Sequence, residues 1–177
     1  MLTGDKIGLR ARHEDDIPVL LEELTDPLTT ARATGLPWRP YTPGSKEAPF
    51  NVDDTKEGVV HFSVVDLEDG ALAGVANLWG IDKHHRTAHL GLGLRPSVRG
   101  KGFATDVVAV LCHYGFVVHG LRRLQIETLA DNTPMLRAAE RNGFTREGVL
   151  RDAEWVMGEC LDQVILGLLV DEWKAAA

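Results

Sequence analysis

The sequence predicts one α/β domain of the α+β type, in which helices pack on a single sheet. Three observations predict it. Short segments with the alternation or apolar character of strands recur along the chain, residues 101–119 place apolar side chains at helical spacing, and a glycine-rich turn joins a strand directly to that helix. The 177 residues can build a core without disulfides, and no repeat or linker divides them, so we expect one domain over residues 1–177.

The N-terminal third predicts a strand, two helices and a long loop. Residues 7–12 alternate weakly between apolar and polar side chains, as a strand does. Residues 14–24 place apolar side chains at helical spacing after an acidic first turn, and a short helix is expected over 28–33. The rest of 27–54 is rich in proline and glycine, and long loops of this kind in compact domains are often functional.

The remaining two thirds predict six further strands and two further helices. The strands are expected over residues 59–67, 71–81, 87–94, 124–129, 144–151 and 160–170. Asp69 and Gly70 form a strong hairpin signal between the first two of these strands. The long helix over 101–119 stops at Gly120, and a second helix over 133–141 has Pro134 near its start.

Composition and charge exclude several classes of protein. The formal net charge of −7 disfavours a general phosphate-binding surface, so nucleic acid is not expected as a partner. Cys112 and Cys160 lie far apart without nearby metal-ligand residues, so we expect free thiols and no metal site. No apolar run approaches the roughly 20 residues of a membrane span, and the first residues lack the apolar core of a signal peptide. A cytoplasmic protein without a membrane partner is therefore expected.

The segment between the strand at 87–94 and the helix at 101–119 carries the strongest functional signal. The first N–H groups of a helix have no intrahelical partner, and the helix dipole adds positive potential there, so such a turn can hold an anion. Gly100 and Gly102 let the backbone approach a phosphate, and Arg99 and Lys101 add positive charge. A pyrophosphate is the natural ligand, although neither the dinucleotide fingerprint nor the nucleotide P-loop matches. On this segment alone, a plain strand-to-helix turn remains the alternative.

Two blocks of the sequence resemble one family. Arg99-x-x-Gly102-x-Ala104 matches the R/Q-x-x-G-x-G/A signature of the GNAT N-acetyltransferase family. Residues 130–144 resemble the N-x-x-S-x-R-V-L-E-K-L-G-F block of its RimJ/RimL branch. The resemblance covers nearly the whole chain and is strongest over residues 74–173.

The resemblance implies a GNAT fold and a cofactor. The fold is a single mixed, mostly antiparallel sheet of six or seven strands with about four helices, and acyl-CoA lies between two strands that splay apart, here 87–94 and 124–129. Asn132 matches a residue that binds the pantetheine arm in the family, with a helix cap as its alternative role. The residues that the resemblance places at the cofactor are Leu92, Leu94, Arg99, Gly100, Lys101, Gly102, Phe103, Ala104, Thr105, Asn132 and Arg137.

Three positions depart from the family and concern proton transfer. Amide formation from a thioester needs a base that takes a proton from the amine. Met135 stands where the branch usually has Ser. Ala139 stands where many relatives outside the branch carry a Tyr that acts as the general acid. His89 stands where many relatives carry a Glu base, and histidine can exchange protons near neutral pH, so His89 is the expected base. Its alternative role is a strand histidine that faces polar neighbours.

The acceptor pocket is implied on the opposite side of the splayed strands. The family builds this pocket from two connections, which correspond here to residues 36–50 and 152–159. Aromatic walls with a few carboxylates suit an acceptor that carries an amine, and core packing is the alternative role for each residue. The expected acceptor-binding residues are Trp38, Tyr41, Trp79, Trp155 and Glu159.

The expected function is acetyl-CoA-dependent N-acetylation of a primary amine. The acceptor is expected to be a peptide or protein N-terminus or a small molecule, and the sequence does not decide between them. One alternative is transfer of another acyl group such as succinyl. A weakly catalytic acyl-CoA-binding module is a second alternative, which Met135 and Ala139 keep open. A homodimer is also left open.

Overall fold

The structure is a computed structural model that describes residues 1–41, 49–50 and 57–176. Among these residues, eight strands form one sheet. The strands are β1 (Leu2–Thr3), β2 (Ile7–Arg10), β3 (Val60–Asp66), β4 (Leu72–Asp82), β5 (Thr87–Leu94), β6 (Arg123–Leu129), β7 (Thr145–Val156) and β8 (Glu159–Leu169). The helices are α1 (Asp16–Glu22), α2 (Pro27–Thr34), α3 (Phe103–His113), α4 (Thr133–Arg141) and α5 (Val170–Ala176).

The sheet is mixed and mostly antiparallel, as predicted. Its order is β1-β2-β3-β4-β5-β6-β8-β7, and only the pair β5–β6 is parallel among the described strands. The count of eight strands corrects the expected six or seven. The additional strand is β1, whose two residues pair with Leu9 and Gly8 of β2 and are too few to show any periodicity.

Several elements begin or end at residues other than those predicted from the sequence. β7 reaches Val156 because its last residues pair with the start of β8, so most of the connection expected over 152–159 is strand. Helix α3 ends at His113 and continues as a π-helical turn over Tyr114–Val118. A fifth helix, α5, follows β8 directly and brings the count above the four expected, with acidic residues in its first turn.

Helices α3 and α4 cover one face of the sheet and enclose the main core. Leu124 and Ile126 of β6 are buried there with Val107 and Leu111 of α3, and Ala88 and Leu90 of β5 join the same core. Because side chains alternate along a strand, the residues between them lie on the opposite face. Helices α1 and α2 contact that second face, where polar side chains surround the junction of β5 and β6.

Asp16 connects helix α1 to the sheet on this second face. Its carboxylate accepts hydrogen bonds from the Arg10 guanidinium at 2.7 and 2.8 Å, from the His13 backbone N–H at 2.8 Å and from the Ser63 hydroxyl at 2.7 Å. Burial by itself would raise the pKa of Asp16, but these hydrogen bonds outweigh it and hold the pKa well below its usual range. The folded state therefore favours the ionised carboxylate.

We expect Asp16→Ala to lower the free energy of unfolding by about 3 kcal/mol at pH 7, because one partner of a buried ion pair is lost. The folded pKa is depressed, so this stabilisation is present above the ordinary aspartate pKa of about 3.9 and is lost as the pH falls below it. Urea unfolding between pH 7 and pH 3 should show the difference from wild type narrowing. Asp15→Ala, at the exposed neighbouring position, is the control. An equal loss in both variants would contradict the assignment.

Candidate functional site

The turn between β5 and α3 has the backbone that an anion site needs. Gly100 and Gly102 have φ angles of 79° and 86°, a conformation that residues with a side chain rarely adopt. Gly102 is the N-cap of α3, and no side chain caps the helix there. A Cβ on Gly100 would meet no atom within 4 Å, so the turn is open, with Arg99 and Lys101 exposed on it. These features fit a phosphate group.

Lys6 brings a further positive charge to this turn. Its Nζ donates a hydrogen bond to the Lys101 carbonyl at 2.9 Å and lies 3.4 Å from the position of a Cβ on Gly102. Asp106, in the first turn of α3, accepts hydrogen bonds from the backbone N–H groups of Asp5, Lys6 and Ile7. The connection between β1 and β2 is thereby held against the start of α3.

β5 and β6 pair at one end only. Thr87, Ala88 and His89 pair with Arg123, Leu124 and Gln125, and the register stops there. Leu92 and Leu94 lie beyond the last pair, so their backbone edge toward β6 has no ladder partner on that strand. We call the point at which pairing ends, at His89, the fork. The fork opens toward the glycine turn, so the part of β5 that is not paired with β6 runs from His89 to that turn.

Helix α4 follows β6 after a short turn, and Asn132 caps it. The Asn132 Oδ1 accepts from the Met135 backbone N–H at 3.4 Å, and its Nδ2 donates to the Thr128 hydroxyl at 2.9 Å. The capping role is therefore present in the structure. Met135 and Ala139 are buried in the core, and Arg137 is exposed on the helix.

His89 lies on the sheet face opposite α3, because its neighbours Ala88 and Leu90 are buried in the core. Its ring stacks on Trp79 with centroids 4.1 Å apart and an interplanar angle of 22°. Its Nδ1 lies 3.4 Å from Oε1 of Glu127. That distance is one of an ion pair, but the Nδ1 makes no hydrogen bond to the described residues. Catalytic hydrogen bonds are often misaligned before substrate is bound.

A chain of hydrogen bonds along one face of β6 orients Glu127. Arg123 donates to the Gln125 side-chain oxygen at 3.0 Å, and Gln125 donates to Glu127 Oε1 at 2.7 Å. Arg123 also forms a double contact with Glu147 of β7. That hydrogen bond raises the pKa of Arg123 and lowers the pKa of Glu147, so both remain charged. A carboxylate is thus held beside His89 at the fork.

The structure brings the expected acceptor-binding residues only partly together. Trp79 contacts His89, as described above. The Trp38 indole donates to the Leu24 carbonyl at 3.2 Å and is about two-fifths exposed, while Tyr41 adjoins residues 42–48, which lie outside the described part of the chain. Trp155 and Glu159 are exposed at the β7–β8 turn. The roles of these residues remain predictions.

Comparison with known proteins agrees with this geometry. The model of the acetyltransferase (GNAT) domain family matches residues 6–145. The chain belongs to the GNAT acetyltransferase family. It is therefore an acyl-CoA-dependent N-acetyltransferase that acts on an amine-bearing acceptor.

Three proteins show which kinds of acetyltransferase this GNAT chain is similar to. An uncharacterized N-acetyltransferase, p20, of Bacillus licheniformis is 28% identical over 173 residues, which cover 97% of each chain. The ribosomal-protein-serine acetyltransferase of Escherichia coli is 32% identical over 66% of this chain and 64% of its own. A spermidine N-acetyltransferase from Vibrio cholerae, solved with CoA and spermine, has a TM-score of 0.78 at 20% identity and covers 95% of this chain and 98% of its own. These names confirm the resemblance to ribosomal-protein acetyltransferases.

Among the described residues of this GNAT acetyltransferase, no group of three or more His, Cys, Asp or Glu side chains could hold a metal ion. None of their helices is long and apolar enough to cross a membrane. Burial raises the pKa of the Cys112 thiol to about 12, which keeps it protonated and unreactive.

Sequence reasoning missed Glu127 and Lys6 as neighbours of the GNAT site. Glu127 had a usable signal, because Arg123, Gln125 and Glu127 alternate with buried apolar residues and so share one face of β6. Lys6 had no comparable signal. Its contact with Lys101 spans 95 positions of sequence and depends on the strand order.

Asn132→Ala should weaken the use of acyl-CoA more than it weakens the fold. Loss of the cap costs about 1 kcal/mol of stability, which thermal melting can measure. A pantetheine contact would add a loss of affinity for CoA, measured by calorimetry. Asn132→Asp keeps the capping oxygen and serves as the matched control for stability. Normal kinetics with acyl-CoA in a destabilised Asn132→Ala variant would show that Asn132 only caps α4.

Proposed function

We propose that this chain transfers the acetyl group of acetyl-CoA to a primary amine, with His89 as the base. The observation that carries the proposal is the place of His89 at the fork. The glycine turn follows Leu94, and β5 runs back from there to His89 over five residues, roughly 17 Å at about 3.3 Å per residue. A cofactor with its pyrophosphate on the turn and its arm along β5 therefore presents its thioester end near His89.

The residues at each end of this path fit different parts of the cofactor. Gly100, Gly102 and the uncapped start of α3 would hold the pyrophosphate, with charge from Arg99 and Lys101. The unpaired backbone of β5 around Leu92 and Leu94 would pair with the amides of the arm. We propose that residues 1–177 act as one such domain.

The chemistry then assigns a proton transfer to His89. Acyl-CoA supplies the activated thioester when it is bound. The neutral imidazole of His89 accepts the proton that the amine must lose, and Glu127 stabilises the resulting imidazolium with its negative charge. Stacking on Trp79 fixes the plane of the ring. Met135 and Ala139 are buried and carry no acidic proton, so neither would protonate the thiolate that leaves the thioester.

Two acceptor classes follow from the names of similar proteins. One relative is named a ribosomal-protein-serine acetyltransferase, and one structural neighbour is named a spermidine N-acetyltransferase. We therefore choose two probe amines, spermidine and the tripeptide Ser-Ala-Ala. Glu127, beside His89, favours a cationic amine at this place.

The test is an acceptor screen with acetyl-CoA and succinyl-CoA as donors. The probe amines and a panel of amino acids and amino sugars are assayed for thiol release, with mass detection of the product. We expect acetylation of at least one amine and faster turnover with acetyl-CoA than with succinyl-CoA. CoA binding without amine-dependent thiol release from either donor would favour a binding module and overturn the proposal.

A further inference from the structure

Two buried polar atoms at the fork make no hydrogen bond to the described residues. They are Oδ1 of Asn77 on β4 and Nδ1 of His89 on β5. Buried polar atoms in folded proteins almost always have a partner, because an unsatisfied one is costly. His89 Nδ1 has the Glu127 carboxyl 3.4 Å away, so the Asn77 oxygen, on the strand next to the fork, is the atom whose missing hydrogen bond indicates a ligand.

The register places both side chains on one face of the sheet, beside the space that Gly91 leaves by having no side chain; we call this space the hollow. Asn77 pairs across from Gly91, and Trp79 pairs across from His89, so the four positions share one face of the sheet. A Cβ on Gly91 would lie 2.8 Å from Asn77 Oδ1 and 3.9 Å from Trp79 Nε1. The space above the Gly91 backbone therefore has an acceptor on one side and an indole nitrogen near it. Gly91 is also the first residue of this face beyond the last β5–β6 pair.

The charges around the hollow favour a ligand with N–H donors. Asn77 Oδ1 can only accept, and the carboxylate of Glu127 lies beside His89 on the same face. The Arg123 guanidinium is engaged by Glu147 and Gln125 and does not supply this donor. An ammonium or amine nitrogen satisfies the unpaired oxygen and suits the carboxylate.

We propose that Asn77 binds the acceptor, its Oδ1 accepting a hydrogen bond from the amine nitrogen that His89 deprotonates. Asn77 then determines which amines bind, because the nitrogen must reach into the hollow over Gly91 with Trp79 as a wall. The inference rests on the proposed function, because that function sets the direction from which the acceptor enters. An amide N–H of the pantetheine arm is the other donor that could reach this oxygen, and the experiment separates the two.

The test measures binding without requiring turnover. CoA is titrated calorimetrically into wild type, Asn77→Leu and Asn77→Asp, and each probe amine is then titrated into the enzyme–CoA complex. Asn77→Leu removes the oxygen at similar volume, whereas Asn77→Asp keeps an oxygen and adds charge. We expect Asn77→Leu to weaken amine binding about tenfold, as for a lost hydrogen bond to a charged group, with CoA affinity unchanged. Asn77→Asp should bind the amine at least as tightly as wild type.

Gly91→Ala tests the same hollow without changing Asn77. Its methyl would lie against Asn77 Oδ1, so amine binding should fall as in Asn77→Leu. Melting curves show whether each variant is folded. If Asn77→Leu does not fold, Gly91→Ala takes its place in the test.

Three results would overturn the inference. The first is a loss of CoA affinity with amine binding intact, which would assign the hydrogen bond to the pantetheine arm. The second is unchanged amine binding in the folded Asn77→Leu or Gly91→Ala variant. The third is that neither probe amine binds to wild type. Thiol release is assayed in parallel. Amine binding that depends on Asn77 without thiol release would refute the proposed function and leave the role of Asn77 standing.

Discussion

Replacing Gly102 by Val should remove most of the affinity for acetyl-CoA, which we expect to be in the micromolar range for wild type. The valine methyl groups would occupy the space where a phosphate approaches the start of α3, next to Lys6 Nζ. We expect a loss of roughly 100-fold, which corresponds to ~2.7 kcal/mol. Calorimetric titration of acetyl-CoA measures it.

The chain offers a matched control for the backbone cost of this change. Gly102 has a φ of 86°, so any side chain there adds strain as well as bulk. Gly70 has a φ of 75° in the β3–β4 turn, and a Cβ there would meet no atom within 4 Å. Gly70→Val should therefore lose similar stability and keep its affinity for acetyl-CoA. Unchanged affinity in a folded Gly102→Val variant would remove the turn from the cofactor site.

His89→Ala should lower kcat/KM by about 10²–10⁴-fold, the usual contribution of a general base. His89 lies on the sheet face opposite the core and at the fork, where it can accept a proton from the acceptor amine. CoA affinity should change little, since the turn and the unpaired edge of β5 remain. As the pH falls, a protonated imidazole can no longer accept a proton, so the acidic limb of the wild-type pH–rate profile should flatten in the variant.

An exposed histidine provides the control for this measurement. His84 is exposed in the turn between β4 and β5, and His84→Ala should leave both the rate and the acidic limb as in wild type. A small loss of rate in His89→Ala with the same acidic limb would exclude His89 as the base. Glu127, which lies 3.4 Å from it, would then be the next group to test.

The ends of some elements were predicted correctly from the local sequence pattern. The strand over Thr87–Leu94 and the helix over Thr133–Arg141 have the predicted ends, because a glycine-rich turn and Pro134 mark their boundaries in the sequence. β1 and the end of β7 could not be predicted in this way. Both are strands because they pair with the next strand across a short turn, and so few residues show no periodicity of their own.

The sequence by itself determined the family, the glycine turn and the position of His89 on a strand, since each depends on residues close together in the chain. Only the tertiary structure decided which groups surround His89. The parallel pairing of β5 with β6 brings Glu127 to its Nδ1, and the antiparallel pairing with β4 brings Trp79 and Asn77 to the same face. These neighbours come from strand order and register, which long-range packing sets and local periodicity does not encode.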